Sequence, residues 1–264
     1  SGAAKFWRAA IEINKIIKFL FFIFVSSTLM ASSYQIDYGE RLKASLNENN
    51  VEMSATKIKM EALRLRAWSS KEFFQNDINK FLQQDKEVFP TENGILFIGS
   101  SSIRFWLSLK SDMKPFPVIN RGFGGAQIVH VNNYLEEIVF PYNPKAIIFY
   151  CGSNDLAGLK TPEEVFSDFQ YFFRAVSQHL PKTKLFVIGV KPSPSREYQK
   201  NKQINLNNMF KNLSDENDSL YFLDVRPPML LENGKADPSL FIKDMLHMNK
   251  RVTRFGQRLL KLLL

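Results

Sequence analysis

The chain has 264 residues, 45% of them hydrophobic and 23% charged, which is typical of a globular protein with one sizeable core. Its single cysteine, Cys151, excludes an intrachain disulfide framework and a multi-cysteine metal site, and it lies in an apolar run that predicts a core position. The net charge of +9 does not indicate nucleic-acid binding by the central domain, because residues 71–249 carry 20 basic and 20 acidic side chains.

The excess positive charge lies in the two ends of the chain. Residues 1–70 carry 10 basic and 6 acidic side chains, and residues 250–264 carry 5 basic side chains and no acidic one. The last segment, KRVTRFGQRLLKLLL, predicts a final helix that packs its leucines on the sheet. A basic amphipathic helix on an anionic membrane is the alternative interpretation.

An uncharged, strongly apolar segment near the N-terminus indicates export. Lys15 and Lys18 precede residues 19–36, which contain no charge, and the small residues Ala31, Ser32 and Ser33 follow the apolar centre, so a signal peptide with cleavage after Ser33 is predicted. Its length of 18 residues is at the lower limit for a membrane span, so an uncleaved anchor is the alternative. Both interpretations predict an extracytoplasmic protein, periplasmic or secreted.

The rest of the chain divides into a spacer and one domain. Residues 34–70 are polar and predict a helical spacer, with a helix over 53–68. From residue 71 to 264 the chain alternates between helices and short apolar strands. Five strands are predicted at residues 95–98, 117–119, 146–150, 185–190 and 220–225, with helices at 73–82, 127–140, 161–180 and 197–213. This alternation predicts a parallel sheet covered on both faces, a three-layer α/β/α sandwich.

The most informative stretch is GILFIGSSSIRFW at residues 94–106. A buried strand ends abruptly at Gly99 and three serines, and a helix-compatible segment follows from Ile103. A serine at this position has its hydroxyl at the mouth of a pocket and its backbone N–H near a helix N-terminus, which suits a nucleophile. On this segment alone, serines that merely cap the helix are the commoner explanation.

Other unusual residues also follow predicted strands. The second strand runs into NRGFGG at residues 120–125, and the third breaks at GSND, residues 152–155. Because the carboxyl ends of parallel strands lie at the same edge of a sheet, these loops and the serines are expected to form one site. Backbone N–H groups of Ser101 and Gly125, with the side-chain amide of Asn154, would then bind the oxyanion of an acyl-transfer reaction.

A serine nucleophile needs a base, and the chain offers three histidines. His247 lies three residues after Asp244, so one turn brings the carboxylate beside the imidazole. His130 and His179 have no acid at a comparable spacing. Taken singly, Asp244 and His247 would more often be a surface pair, and Asn154 a turn residue. Their occurrence together with the serines favours a catalytic site.

These blocks resemble those of the SGNH hydrolases, also called the GDSL esterase and lipase family, from about residue 71 to the C-terminus. The family's first block is Gly-Asp-Ser, and here it is Gly99, Ser100, Ser101, with Ser100 in the place of the acid. The run GSSSIRFW is similar to a bacterial branch in which the middle serine, here Ser101, is the nucleophile. Ser100 and Ser102 are the alternative nucleophiles.

The resemblance also implies the other parts of the site. It implies a flavodoxin-like sheet, an oxyanion hole of Ser101, Gly125 and Asn154, and a triad of Ser101, Asp244 and His247. The run KPSPSR at residues 191–196 also resembles the branch pattern and is expected at the rim of the pocket, without an assigned chemical role. The α/β-hydrolase nucleophile motif is absent, because Ile103 stands where that motif requires glycine.

The expected activity is that of a serine esterase without metal or organic cofactor. The expected partner is a small ester or an acylated glycan, most of all O-acyl or O-acetyl groups on extracytoplasmic glycans, with no nucleic acid. A lysophospholipase or thioesterase acting on lipids is the enzyme alternative, and a catalytically silent glycan-binding module of the same fold is the non-enzyme alternative. Membrane association would occur through the N-terminal apolar segment. The sequence assigns no substrate-binding residues and no oligomeric state.

Overall fold

The computed structural model of the chain describes residues 36–249. The predicted signal peptide or anchor at residues 1–33 and the predicted final helix at 250–264 lie outside the described residues. None of the helices between residues 36 and 249 combines the length and apolar character that a membrane span needs.

The chain divides into two compact units, Ser1–Glu52 and Met53–Leu264. The described part of the first unit contains the helix α1 (Tyr38–Glu48). The Asp37 side chain caps this helix by accepting a hydrogen bond from the backbone N–H of Glu40 at 3.0 Å.

The second unit contains one parallel sheet of five strands. They are β1 (Ile95–Gly99), β2 (Val118–Gly122), β3 (Ala146–Tyr150), β4 (Lys184–Ile188) and β5 (Leu220–Leu223). Their order is β2-β1-β3-β4-β5, and every neighbouring pair is parallel. This is the flavodoxin-like order, in which ligands bind beyond the strand ends between β1 and β3. The predicted five-stranded parallel sheet is confirmed.

The helices of this unit are mostly short near the site and long elsewhere. They are α2 (Ala55–Trp68), α3 (Gln75–Glu87), α4 (Ser101–Arg104), α5 (Leu109–Asp112), α6 (Ile128–Asn132), α7 (Leu135–Ile138), α8 (Ser153–Ala157), α9 (Pro162–His179) and α10 (Lys200–Asp215). Single 3-10 turns lie at Lys71–Phe74, Phe140–Tyr142, Pro194–Gln199, Pro227–Met229 and Pro238–Leu240.

The helix expected over residues 127–140 is in fact two helices, α6 and α7. The chain leaves helical geometry at Tyr134, whose hydroxyl donates to the Lys71 carbonyl oxygen at 2.7 Å. Just before it, the Asn132 side chain donates to the carbonyl oxygen of Asp168 at 2.9 Å. Two tertiary hydrogen bonds, from Asn132 and Tyr134, therefore lie where the predicted continuous helix is interrupted.

Both faces of the sheet are buried. Along β1, Leu96 and Ile98 belong to one hydrophobic core, while Ile95 and Phe97 belong to the other. Side chains of α3, α6, α7, α9 and α10 fill the first core, and α4 and α5 contribute to the second. The three-layer arrangement is thus confirmed, and Cys151 is buried in the first core as expected.

The helix α2 contributes to the unit that holds the sheet, although it falls in the segment interpreted as a spacer. Trp68, at its end, packs on the first core. Its indole Nε1 donates to the carbonyl oxygen of Gly125 at 2.9 Å. The last turn of α2 therefore holds the glycine-rich loop that follows β2.

The turn after β1 brings two strands unusually close. Gly99 has a φ of +133°, and a Cβ placed there would lie 2.0 Å from the carbonyl oxygen of Tyr150 on β3. That same oxygen accepts the N–H of Ser100 at 2.9 Å, while the Gly99 carbonyl accepts the N–H of Phe123 at 3.0 Å. Only glycine fits between these backbone groups.

Gly99→Ala should therefore destabilise the protein by about 3 kcal/mol or more, since a strained φ and a backbone clash add together. Urea unfolding followed by circular dichroism measures this loss. Gly124→Ala is the control, because its added Cβ would meet only the side chain of Arg104, which can move. Equal losses in the two variants would contradict the close approach.

Candidate functional site

The first element of the site is the turn that leads from β1 into α4. Ser100 precedes the helix and is 4% exposed, and Ser101 is its first residue. The Oγ atom of Ser101 lies 2.8 Å from Nε2 of His247. The structure therefore joins two residues that are 146 positions apart in the sequence.

The second element is the tight loop that carries Asp244 and His247. Oδ1 of Asp244 accepts the backbone N–H groups of Leu246 and His247, each at 2.9 Å. Its other oxygen, Oδ2, lies 2.6 Å from Nδ1 of His247. The spacing of three residues thus produces the side-by-side placement that the sequence predicts.

The charge of Asp244 decides which way the hydrogen bonds run. Burial alone would raise the pKa of this carboxyl, but hydrogen bonds from the His247 ring and the two backbone N–H groups outweigh it and lower the pKa to about 2. The ionised carboxylate can only accept, so Nδ1 of His247 carries the proton. When the ring carries this single proton, Nε2 is the acceptor for the Ser101 hydroxyl.

The neighbouring serines and the other histidines have different partners. Ser102 hydrogen-bonds with the phenol of Tyr150. His130 is fully buried, and its Nδ1 accepts the backbone N–H of Gln127 at 2.9 Å. His179 ends α9 and stacks on Phe140 at 4.3 Å. Within residues 36–249, Ser101 is the one serine whose hydroxyl reaches His247.

Two of the predicted oxyanion donors are the backbone N–H groups of Ser101 and Gly125. In the described part of the chain, the N–H groups of Ser101 and Gly125 have no hydrogen-bond partner. Gly125 has a φ of +85°, and its peptide is held from the other side by the Trp68 indole. Both groups are therefore free to bind negative charge.

The third predicted donor, Asn154, is buried at the start of α8. One N–H of its amide donates to the carbonyl oxygen of Ala126 at 3.0 Å, which ties it to the residue after Gly125. Its Oδ1 accepts from Nη2 of Arg196 at 2.8 Å. The second N–H of the amide has no partner among residues 36–249.

Residues 191–196 contact the site through side chains that the sequence analysis left without a role. Nζ of Lys191 donates to the carbonyl oxygen of Leu246 at 2.6 Å, and Arg196 binds Asn154. Burial lowers the pKa of Lys191 to about 7, with the positive charge of Arg196 adding to this effect and Asp244 opposing it. Their position after β4, at the same edge as the serines, was the available signal.

Together these groups have the chemistry of acyl transfer. The Ser101 hydroxyl lies within hydrogen-bonding distance of an imidazole nitrogen that can take its proton, and the backbone N–H groups of Ser101 and Gly125 have no partner within residues 36–249. No three metal-ligating side chains among residues 36–249 come close enough to hold an ion.

A comparison with protein families decides the assignment. The model of the GDSL-like Lipase/Acylhydrolase family matches residues 100–254. The chain belongs to this family. It is therefore a carboxylic ester hydrolase, and the match includes the serine turn, the glycine-rich loop, Asn154 and the loop of Asp244 and His247.

Solved structures of acylhydrolases have the same fold. A provisionally named platelet activating factor from Streptococcus pneumonia superposes with a TM-score of 0.65 at 21% identity, covering 78% of this chain and 99% of that one. A provisionally named acylhydrolase from Bacteroides fragilis gives 0.61 at 19%, covering 70% and 93%. The acetyl xylan esterase AlAXEase gives 0.54 at 18%, covering 65% and 99%. At these identities the likeness establishes the fold. No curated protein matches the sequence.

A buried carboxyl directly follows Asn154 in this acylhydrolase. Asp155 is fully buried, and its Oδ1 accepts the backbone N–H of Ile128 at the start of α6, at 2.9 Å. Burial raises its pKa to about 6, while the positive charge of Lys160, 3.8 Å away, opposes the rise and Asp168 adds to it.

The stability of the protein should therefore depend on pH through Asp155. An acid whose folded pKa exceeds its unfolded value of about 3.9 makes the free energy of unfolding fall as pH rises through that window. The loss should run from about pH 4 to pH 6 and then level off. In Asp155→Asn this decline should be absent, so the variant gains stability relative to wild type between those pH values.

Urea unfolding at pH 4 to 7.5 measures this difference. Asp218→Asn is the control, since this exposed carboxyl should leave the pH dependence unchanged. Parallel curves for wild type and Asp155→Asn would show that the carboxyl does not titrate as its burial requires.

Proposed function

We propose that the protein hydrolyses a carboxylic ester through an acyl intermediate on Ser101. The observation that carries the proposal is the continuous chain of hydrogen bonds from Ser101 Oγ through the His247 ring to Asp244, with distances of 2.8 and 2.6 Å. A binding module of the same fold has no need of an aligned hydroxyl, imidazole and carboxylate. This argues against the catalytically silent alternative.

The proposed reaction has two steps, the acylation of Ser101 and the hydrolysis of the acyl-enzyme. Ser101 Oγ attacks the carbonyl carbon while its proton passes to Nε2 of His247, and Asp244 stabilises the imidazolium. The negative charge that forms on the carbonyl oxygen is bound by the N–H groups of Ser101 and Gly125 and by the Asn154 amide. The imidazolium then gives its proton to the departing alcohol. Water then attacks the acyl carbon while His247 takes a proton from it. The proton returns to Ser101 Oγ as the bond between Oγ and the acyl group breaks, which releases the acid.

We infer that the substrate is an O-acetyl or other small O-acyl group on a glycan. A structure with this fold is named an acetyl xylan esterase. The ring of Phe105 packs edge-on against the His247 ring at 5.0 Å and is 56% exposed. Such a ring offers a flat apolar surface beside the reacting groups, which suits the face of a sugar.

Our proposal for the place of action rests on the sequence alone. We propose that the enzyme works outside the cytoplasm, because residues 19–36 have the charge pattern of a signal peptide or anchor. Acylated polymers of the cell surface are then the accessible glycans.

A lipid acyl hydrolase is the second candidate, because apolar side chains are exposed on both loops of the site. Leu107, after the serine helix, is 90% exposed, and Met245, beside His247, is 39% exposed. These side chains could contact the acyl chain of a lipid, just as the Phe105 ring could contact a sugar.

Ser101→Ala should lower kcat for short-chain p-nitrophenyl esters by about 10⁴-fold or more, because the nucleophile is lost. Ser102→Ala should retain activity, since the Ser102 hydroxyl faces Tyr150. Labelling with a fluorophosphonate probe should follow the same order. Full activity in Ser101→Ala, or its loss in Ser102→Ala alone, would assign the reaction to another serine.

The two substrate classes are separated by measuring both products on one preparation. We expect acetate release from O-acetylated xylan to exceed fatty-acid release from lysophosphatidylcholine vesicles in kcat/KM. Phe105→Ala should raise KM for the glycan more than for p-nitrophenyl acetate, which has no sugar. Faster lipid hydrolysis would reverse the assignment and favour the second candidate.

A further inference from the structure

The segment after β4, residues 191–196, contacts both halves of the site. On one side, the N–H and Oγ of Ser195 donate to the carbonyl oxygen of Met245 at 3.1 and 3.0 Å, and Lys191 donates to that of Leu246. These bonds hold the loop that carries His247. On the other side, Arg196 reaches the loop that carries Asn154.

Arg196 makes two short bonds there. Nη1 donates to Oγ of Ser153 at 2.6 Å, and Nη2 donates to Oδ1 of Asn154 at 2.8 Å. Because a guanidinium is only a donor, the bond to Oδ1 settles which end of the amide is oxygen. The Nδ2 end must then point the other way, where one N–H donates to the Ala126 carbonyl oxygen and the second has no partner in the described part of the chain.

The same contact changes the strength of the amide as a donor. A cation bound to Oδ1 draws electron density toward the oxygen and leaves the N–H groups more positive. Hydrogen bonds that involve a charge are about twice as strong as neutral ones. The effect grows as the substrate oxygen becomes negative, so it favours the transition state over the bound ester.

We propose that Arg196 is a positioning residue that orients and polarises the Asn154 amide for oxyanion binding. This inference rests on the proposed function, since it requires a negative charge to form on the substrate oxygen. Arg196 does not touch the substrate in this proposal. It acts through Asn154 alone, and this restriction makes the proposal testable.

The first test is Arg196→Met, which keeps the stem of the side chain and removes every donor. We expect kcat for p-nitrophenyl acetate to fall roughly 10- to 100-fold, less than the loss expected for a direct oxyanion donor. KM should change less than about threefold, because the bond acts in the transition state. Arg196→Lys keeps the positive charge but loses the paired donors of the guanidinium. Its kcat should therefore lie between those of wild type and Arg196→Met.

The deciding experiment is a double-mutant cycle with Asn154→Ala. If Arg196 acts through the amide, Arg196→Met should cost less than about threefold in the Asn154→Ala background. A loss of the same size in both backgrounds would overturn the proposal and indicate a direct or purely structural role. No loss in either background would overturn it as well.

Controls separate this inference from the proposed function. Arg174→Gln alters an exposed arginine on α9 and should leave kcat unchanged. Thermal unfolding of each variant shows whether the loss follows folding, and Arg196→Lys replaces Arg196→Met in the cycle if the latter unfolds. An inactive Ser101→Ala with a fully active Arg196→Met would reject this inference and leave the proposed mechanism standing.

Discussion

The close approach of Gly99 to the carbonyl group of Tyr150 determines how the chain turns at the end of β1 and where the glycine-rich loop is attached. Because the backbones touch, the N–H of Ser100 can bind Tyr150 and the chain must turn at once into α4. Ser101 therefore begins a helix, and its own N–H has no partner among residues 36–249. The Gly99 carbonyl also binds Phe123, so the glycine-rich loop is attached to the same point.

This constraint explains why residues from distant parts of the chain can meet within hydrogen-bonding distance. The register pairs Gly99 with Gly122 on one side and with Tyr150 on the other, so three strands end at one level. The loops that follow them start from fixed positions, and they carry the predicted site residues Ser101, Gly125 and Asn154. A shift of one residue in either pairing would exchange the two faces of the strand and separate these groups.

Much of the fold could be predicted because strands, turns and caps have local signals. The capping box of α9, in which Thr161 and Glu164 bond to each other's backbone, is such a local signal within the helix predicted over 161–180. The strand order had no local signal. β2 extends to Gly122, through residues interpreted as loop, because Arg121 is buried in an ion pair with Asp85 and donates to the Tyr142 hydroxyl at 2.7 Å. Such a network depends on residues far apart in sequence.

The site shows the same division between local and long-range information. Asp244 and His247 lie three residues apart, so their pairing could be predicted from spacing, and the serine turn followed from the end of a strand. The contact of Arg196 with Asn154 could not be predicted, because it depends on the path of the chain after β4. The run KPSPSR predicts a position at the rim of the pocket, but it does not predict which amide its arginine contacts.

Taken together, the contacts place a negatively charged group on one side of the site and a positively charged group on the other. In the proposed mechanism the transition state is charge-separated, with an imidazolium on one side and an oxyanion on the other. Asp244 faces the first charge, and Arg196, through Asn154, faces the second. Neither group gains much from the neutral ester, so the arrangement favours the transition state selectively. Residues 191–196 link the two sides, since Lys191 binds the histidine loop while Arg196 binds the amide. The spacing between the two compensating charges is therefore set by a single short segment of the chain.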